Sequence, residues 1–412
     1  MLPCRGDGAG LSTLTPFQWG AYIPGMLRIS FCLLPLLFAL VAGAQIAPPS
    51  ERGERDMVLL AGGDVAYPRG WMDRFVEQQG ASMFDEVRPF ALAADLAFIN
   101  LETPLTEAAF VVDKRWPIAT PPHRLEFILS GGFNLFSLAN NHLFDCGNPG
   151  ADDTLRLLTN TRQRLAEGPR APGERRHLFW AGLGRRARDA YEPTILTVPG
   201  KTLKVAFHAF GWSGSRRTPA PSRRAALRTV RAHASEADLT VVSIHTGREY
   251  RHVPGARKAR LFRRFIDAGA DIVLGHHPHV IQGVEVYGGG VIFHSLGNFS
   301  FASAGNFPSA AAMRRRDEAG VKMYSMLPSI WIRDGRVVGA EIVPLYVNNI
   351  APMTVEGQTL PASKFRPQVL EDPFASTVLG ELVRWTAEIP GATAESARAL
   401  QVRGERAWVQ VQ

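Results

Sequence analysis

Cysteine is nearly absent from this chain, with 3 in 412 residues. Cys4 and Cys32 fall in an N-terminal stretch read below as a leader, which leaves Cys146 alone. A single thiol forms no internal disulfide, so an oxidising compartment is permitted but not used for stapling. Cys146 reads as a small half-buried filler in preference to a reactive nucleophile. Acidic residues are also in deficit: Lys+Arg number 46 against 38 Asp+Glu, a net charge of +8. The basic clusters (Arg185-Arg186, Arg216-Arg217, Arg223-Arg224, Arg314 to Arg316) are scattered and lack interleaved aromatics. That argues against nucleic acid as a partner and for a solvated, arginine-rich surface, with weak attraction to anionic polymers or headgroups as the sharper reading. A composition of 46% apolar and 20% charged residues excludes a disordered chain.

From Met26 the chain reads MLRISFCLLPLLFALVAGAQIAPPS. One arginine leads an apolar run from Ile29 to Ala42, and Ala42-Gly43-Ala44 forms a small-x-small cleavage site before Gln45. This is the layout of a secretory signal peptide, and Pro35 with a short core argues against a permanent span. The expected organisation is therefore a leader over 1–44 (signal peptide 26–44), a linker over 45–56, one large domain over 57–347 and a peripheral extension over 348–412. The stretch before Met26 has no targeting logic, which makes Met26 a candidate translation start. The expected location is exported, periplasmic or extracellular, with membrane association as a further option.

Beyond the linker, short apolar runs alternate with helical patterns, as stacked βα units do. MVLLAGGD (57–64), DLAFINLE (95–102), FNLFSLAN (133–140), DLTVVSIHTG (238–247) and DIVLGHHPHV (271–280) each begin apolar and end polar. Helices are expected over 71–78, 124–129, 151–166, 223–234, 255–268 and 375–388. Hairpins are expected over 193–210, 284–299 and 326–347, and a mobile loop over 305–320.

The strand ends carry the chemistry. They present Asp64; Asn100 and Glu102; Asn140, Asn141, His142 and Asp145; His245 with Glu249 and Tyr250 following; and His276, His277 and His279. A mixed oxygen and nitrogen set suits Mn²⁺, Fe²⁺ or Zn²⁺ better than Ca²⁺. Such an ion lowers the pKa of water and polarises a phosphoryl oxygen. Beside it, His142 suits a general acid with Asp145 orienting it. Taken singly these residues have plainer readings: Asp64 a turn residue, Glu102 a solvated strand end, Asn141 a turn amide, His245 a satisfied core histidine. GHHPH is stronger, holding three of the chain's 11 histidines in five positions.

In order, GGDV, DLAFINLETPLT, FNLFSLANNHLFDCG, GREY, DAGADIVLGHHPHVIQGVEVY and HSLGNF resemble the CapA family, a branch of the calcineurin-like metallophosphoesterases named for capsule and poly-γ-glutamate synthesis. The resemblance runs from about Val58 to Phe301 and implies a four-layer α/β/β/α sandwich with metals at the strand ends. It implies ligands at Asp64, Glu102 (bridging), Asn141, His245, His277 and His279, with His142 catalytic. Asn140, Asp145, Glu249, Tyr250, Ser295 and Asn298 fit positions of the family with less defined roles, and Asn100 and His276 are counted with them. Ala66 stands where the superfamily's Asp-x-His places its histidine, so one or two divalent ions are compatible with the set. Thr246 and His294 stand where relatives tend to carry tryptophan and tyrosine, and are read as space-fillers.

Two functions follow from the resemblance. One is an exported metal-dependent hydrolase cutting a phosphoester, or a γ-glutamyl amide, in the synthesis, export or trimming of an anionic polymer. The other is a non-catalytic accessory subunit of a membrane-bound polymer synthase, using the metal structurally or to bind polymer. Oligomeric state is left open.

Overall fold

The computed structural model describes residues 52–70, 73–114, 116–171, 173–186, 188–212, 222–301 and 320–411. The expected leader and nearly all of the 305–320 loop lie outside those residues. Strands β1 (Met57–Ala66), β2 (Leu96–Leu101), β3 (Leu135–Ser137) and β4 (Phe179–Ala181) run parallel, side by side in that order. On its other side β1 pairs antiparallel with β12 (Tyr324–Arg333), which continues through β13 (Arg336–Tyr346) to β18 (Arg406–Gln410) and β17 (Leu400–Arg403). The last residues of β1 also pair with β11 (Asn298–Phe301), which sets Asp64 opposite Asn298.

A second sheet has the order β5 (Thr194–Thr197), β6 (Lys204–Trp212), β7 (Leu239–Thr246), β8 (Ile272–His276), β10 (Gly290–Leu296), β9 (Ile281–Tyr287). The period of two along each strand decides how the sheets stack. Leu59, Ala61 and Phe98 of the first sheet and Phe207, Val241 and Leu274 of the second share one inner core. The alternate residues Leu60, Ala97 and Ile99 face outward to a second core, and Val242, Ile244 and Val273 to a third. Each large side chain buried this way contributes roughly 1.5–3 kcal/mol.

The outer cores are covered by helices, giving the four-layer α/β/β/α sandwich. Over the first sheet lie α1 (Asp73–Gln79), α2 (Arg88–Ala93), α3 (Leu125–Ser130) and α4 (Gly147–Glu167). Over the second lie α5 (Arg223–His233) and α6 (Ala256–Ile266). Ser222 caps α5 by accepting from the Ala225 N–H, and Ala226, Leu227 and Val230 form its buried stripe. α6 buries Ala259, Leu261, Phe262, Phe265 and Ile266. Among the described residues no helix is long and apolar enough to cross a membrane.

The segment after Asn348 does more than its weak pattern suggests. Here β14 (Met353–Val355) and β15 (Gln358–Leu360) form a small hairpin, β16 (Gln368–Val369) pairs with β13, and α7 (Phe374–Ala387) sets Val378, Leu379, Leu382 and Trp385 into the inner core, against β9 and β13. α8 (Ala394–Ala399) leads into the β17–β18 hairpin that extends the larger sheet. The difference has a physical reason: an apolar stripe is valued by the open edge it covers, and that edge is set by strands far away in sequence.

Candidate metal centre

The parallel strands of both sheets end on the same rim, and the expected residues meet there. Close backbone approach places Asp64. A Cβ at Gly63 would lie 2.0 Å from the Gly297 carbonyl oxygen, so only glycine lets β1 lie against that turn. The Asp64 N–H then donates to Gly297 O at 2.9 Å. Asp64 Oδ1 accepts from Asn100 Nδ2 at 2.8 Å and lies 2.9 Å from His276 Nδ1. Burial pushes the Asp64 carboxyl up, but the bond and charge of His276 and the other neighbours outweigh it and hold the group below its ordinary range.

Glu102 is fully buried, and neither of its oxygens has a hydrogen-bond partner. Oε1 lies 3.3 Å from His245 Nε2, 3.9 Å from His279 Nε2 and 3.9 Å from His142 Nε2. Burial, with the Asp64 charge added, pushes its carboxyl well above the ordinary range. A buried carboxylate so placed demands either a proton or a cation. Asp64 Oδ2 and His276 Nε2 are likewise buried without a hydrogen-bond partner.

His245 and His277 are in the form that ligates metals. His245 is held well below its ordinary range by burial and then by the neighbouring imidazoles. His277 is lowered to about 3 by burial and then by His279. Neutral imidazole is what a divalent ion requires. Among the described residues, three groups of donor atoms each lie within 4.8 Å of one another: Glu102, His245 and His277; Asp64, Glu102 and His279; Glu249, His277 and His279. Glu102 belongs to two of them, so the donor set fits a divalent ion. Ala66, where the sequence resemblance leads one to expect a histidine, is instead buried with Ile118 and Phe301 in a small apolar cluster.

The GHHPH turn is strained: His277 and His279 have φ of 91° and 59°. Backbone held this way costs on the order of 1–3 kcal/mol per residue and persists where surrounding structure enforces it. His279 Nδ1 is fixed by Asn298 Oδ1 at 2.8 Å, and the Tyr250 N–H donates to Pro278 O. The Tyr250 ring lies 5.9 Å from that of His279.

The loop after β3 completes the rim. Asn141 Oδ1 lies 2.7 Å from His245 Nε2, which joins the two sheets. Asn140 instead ties the loop to the end of β2: Nδ2 donates to Leu101 O, and Oδ1 accepts from the His142 and Leu143 N–H groups. His142 Nδ1 is 2.7 Å from Asp145 Oδ2, leaving Nε2 toward Glu102. Asp145 also accepts from the Ile118 N–H and from Lys114, whose ammonium donates in addition to Asn141 O at 2.6 Å. Lys114 escapes sequence reading, because a lysine in an irregular loop reveals nothing until the loop folds over the site.

Two expected residues lie at the margin of the cluster. Ser295 accepts from the Gly297 N–H and supports the turn under Asp64. Glu249 is exposed and joins the others beside His277 and His279, and its charge adds to the upward push on Glu102. His294, read as filler, is a bonded core residue: its Nε2 lies 3.0 Å from Glu285 Oε2, and its ring stacks on Phe262.

Two facing sheets flanked by helices, with carboxylates, amides and imidazoles gathered at their strand ends, define a four-layer α/β/β/α protein with a candidate metal centre. Within that class the chain belongs to the bacterial capsule synthesis protein PGA_cap family, which it matches over residues 58–303. It is 29% identical over 338 residues to the PGA biosynthesis protein CapA of Bacillus subtilis (strain 168), covering 79% of this chain and 81% of that one. It is 26% identical over 348 residues to the capsule biosynthesis protein CapA of Bacillus anthracis, covering 78% and 77%. A solved structure of a novel phosphatase from Mycoplasma pneumoniae is similar at 14% identity and a TM-score of 0.42, over 70% of this chain and 93% of that one.

Proposed function

We propose that this chain is an exported, metal-dependent hydrolase that cuts an anionic polymer, or a phosphoester linked to it, during capsule-type synthesis, export or trimming. The observation that carries the reading is the pair of buried carboxylates, Asp64 and Glu102, with oxygens left without hydrogen-bond partners at a rim where burial holds the His245 and His277 imidazoles neutral. Asp64, Glu102, Asn141, His245, His277 and His279 would hold the metal, one ion or two. Mn²⁺, Fe²⁺ or Zn²⁺ in that set supplies Lewis acidity toward water and a phosphoryl or acyl oxygen.

The chain's own groups do the rest. His142, pinned through Nδ1 by Asp145, presents Nε2 to the centre and delivers a proton to the leaving oxygen. Lys114 and the Ile118 N–H hold Asp145 in place, so the imidazole does not rotate away. Burial lowers the His142 pKa against the opposing pull of Asp145, so its proton is easier to give and the protonated form belongs to the acidic side of neutrality. A purely structural ion would have no use for this relay, and that favours catalysis over an accessory role.

The test is metal analysis of the purified protein, wild type against His277→Ala, followed by hydrolysis of an aryl phosphodiester by wild type and His142→Ala. We expect a stoichiometric divalent ion, reduced in His277→Ala, and turnover lost in His142→Ala. Absence of any ion sinks the metal reading. A bound ion with no turnover across several substrates points to an accessory subunit of a membrane-bound synthase, which co-purification with membrane proteins would show. Export is tested by sequencing the mature N-terminus, where a start at Gln45 is expected and any start upstream overturns cleavage after Ala44.

A further inference from the structure

Beside the metal centre, on the outer face of the second sheet, lies a cavity of about 1050 Å³. Arg223 of α5, Arg248 and Arg251 of the loop after β7, and Arg257, Arg260 and Arg264 of α6 line it. No aspartate or glutamate does, and none of the six arginines forms a salt bridge among the described residues. Lys258 lines it too, buried, with its ammonium donating to the Gln282 side-chain oxygen at 2.9 Å and facing no carboxylate within bonding distance. Burial lowers its pKa to about 7, as expected for an ammonium left without an anion.

Local rules are broken here in one direction. The first turn of a helix favours acidic side chains, yet α6 begins with Arg257 and Lys258 and has no acid there. All six arginines are exposed, and their shared sign around one concavity makes it attractive to an anion. The cavity also adjoins the centre. Thr246 and Gly247, which line it, directly follow His245, and a Cβ at Gly247 would lie 3.3 Å from Lys258 Nζ and 3.5 Å from Pro278 of the GHHPH turn.

We propose that this cavity is an anion subsite that holds a stretch of polycarboxylate chain alongside the metal centre. Guanidinium groups match carboxylates in a planar fork, and several in a row engage a chain carrying one carboxylate per repeat. Among the described residues Trp212 is the one aromatic lining the cavity, which offers no run of rings for the bases of a single-stranded nucleic acid. The choice of carboxylate as the anion rests on the polymer reading above.

The test is fluorescence anisotropy of a fluorescein-labelled glutamate decamer with the full chain at about 0.1 M salt. Arg257→Glu/Arg260→Glu is compared with Arg336→Glu/Arg403→Glu, a pair of equal charge change outside the cavity, and thermal melting checks that each folds. We expect the cavity pair to weaken binding about tenfold or more and to flatten its salt dependence, and the control pair to stay within about twofold. Equal weakening by both pairs, or no binding by wild type at low salt, overturns the inference. So does inorganic polyphosphate displacing the decamer at about tenfold lower charge concentration, which makes the cavity a phosphate site. A wild type that hydrolyses the aryl diester but does not bind the decamer overturns the subsite alone. One that binds the decamer without turnover keeps the subsite and removes the hydrolase reading.

Discussion

His276 Nδ1 lies 2.9 Å from Asp64 Oδ1, a bond that runs from the end of β8 in one sheet to the end of β1 in the other. Both side chains are fully buried. The pair therefore fastens the two sheets together at the rim where the donor atoms gather. Replacing His276 by Ala leaves Asp64 Oδ1 with Asn100 as its remaining hydrogen-bond partner. We expect a loss of about 1–3 kcal/mol in denaturant unfolding of metal-free protein. Added Mn²⁺ or Zn²⁺ should raise the unfolding midpoint of wild type more than that of the variant, because only the folded state presents the donor set.

Gly63 tests how the rim is built. An alanine there brings a methyl group against Gly297 O, a backbone atom that moves only with the turn beneath Asp64. Gly63→Ala should destabilise by about 1–3 kcal/mol and reduce metal content, as read by unfolding and metal analysis. Unchanged metal content would show that Asp64 does not depend on this approach.

Lys114→Met removes a cation from Asp145 while leaving the His142 and Ile118 contacts in place. Lys114 disfavours the charged form of His142, so its loss should move the limb of the pH–rate profile belonging to His142 to higher pH. We expect turnover of an aryl phosphodiester to fall about tenfold or more with little change in bound metal. A variant that loses metal and activity together would make Lys114 a structural residue only.

His208 offers a pH test away from the centre. It is fully buried, with neither ring nitrogen bonded, and burial, with His233 adding to it, lowers its pKa from 6.5 to about 3. Between those values the unfolded chain binds a proton that the folded chain refuses, so stability falls as pH drops below about 6.5. From pH 7 to 5 this one group costs about 2 kcal/mol. His208→Leu should lose correspondingly less over the same range in denaturant titrations.

Much of this was legible in the sequence, for reasons that are local. Apolar runs ending in Asp64, Glu102, His245 and His276 announced both the strands and the rim, because a strand buried on both faces cannot hide polar residues except at its end. β4 escaped, since a three-residue strand has no period to detect. β3 was read too long for the opposite reason: its apolar run continues after Ser137 into the loop that Asn140 ties. Lys114 and the arginine-lined cavity could not be read at all. Each depends on chain segments that meet only after folding, and a scattered basic composition looks the same whether its arginines converge or not.

The strands flanking β1 carry a further consequence. Every residue gathered at the rim lies between Asp64 and Asn298, yet β12 and β13 beside them come from Tyr324 onward, and β18 and α7 from later still. Cutting the chain after residue 303, where the family match ends, would strip β1 of its antiparallel neighbour and uncover the inner core. The chemistry is thus written in the first part of the chain and scaffolded by the last. A change near Trp385 or Val409 can disable a site with which it shares no contact.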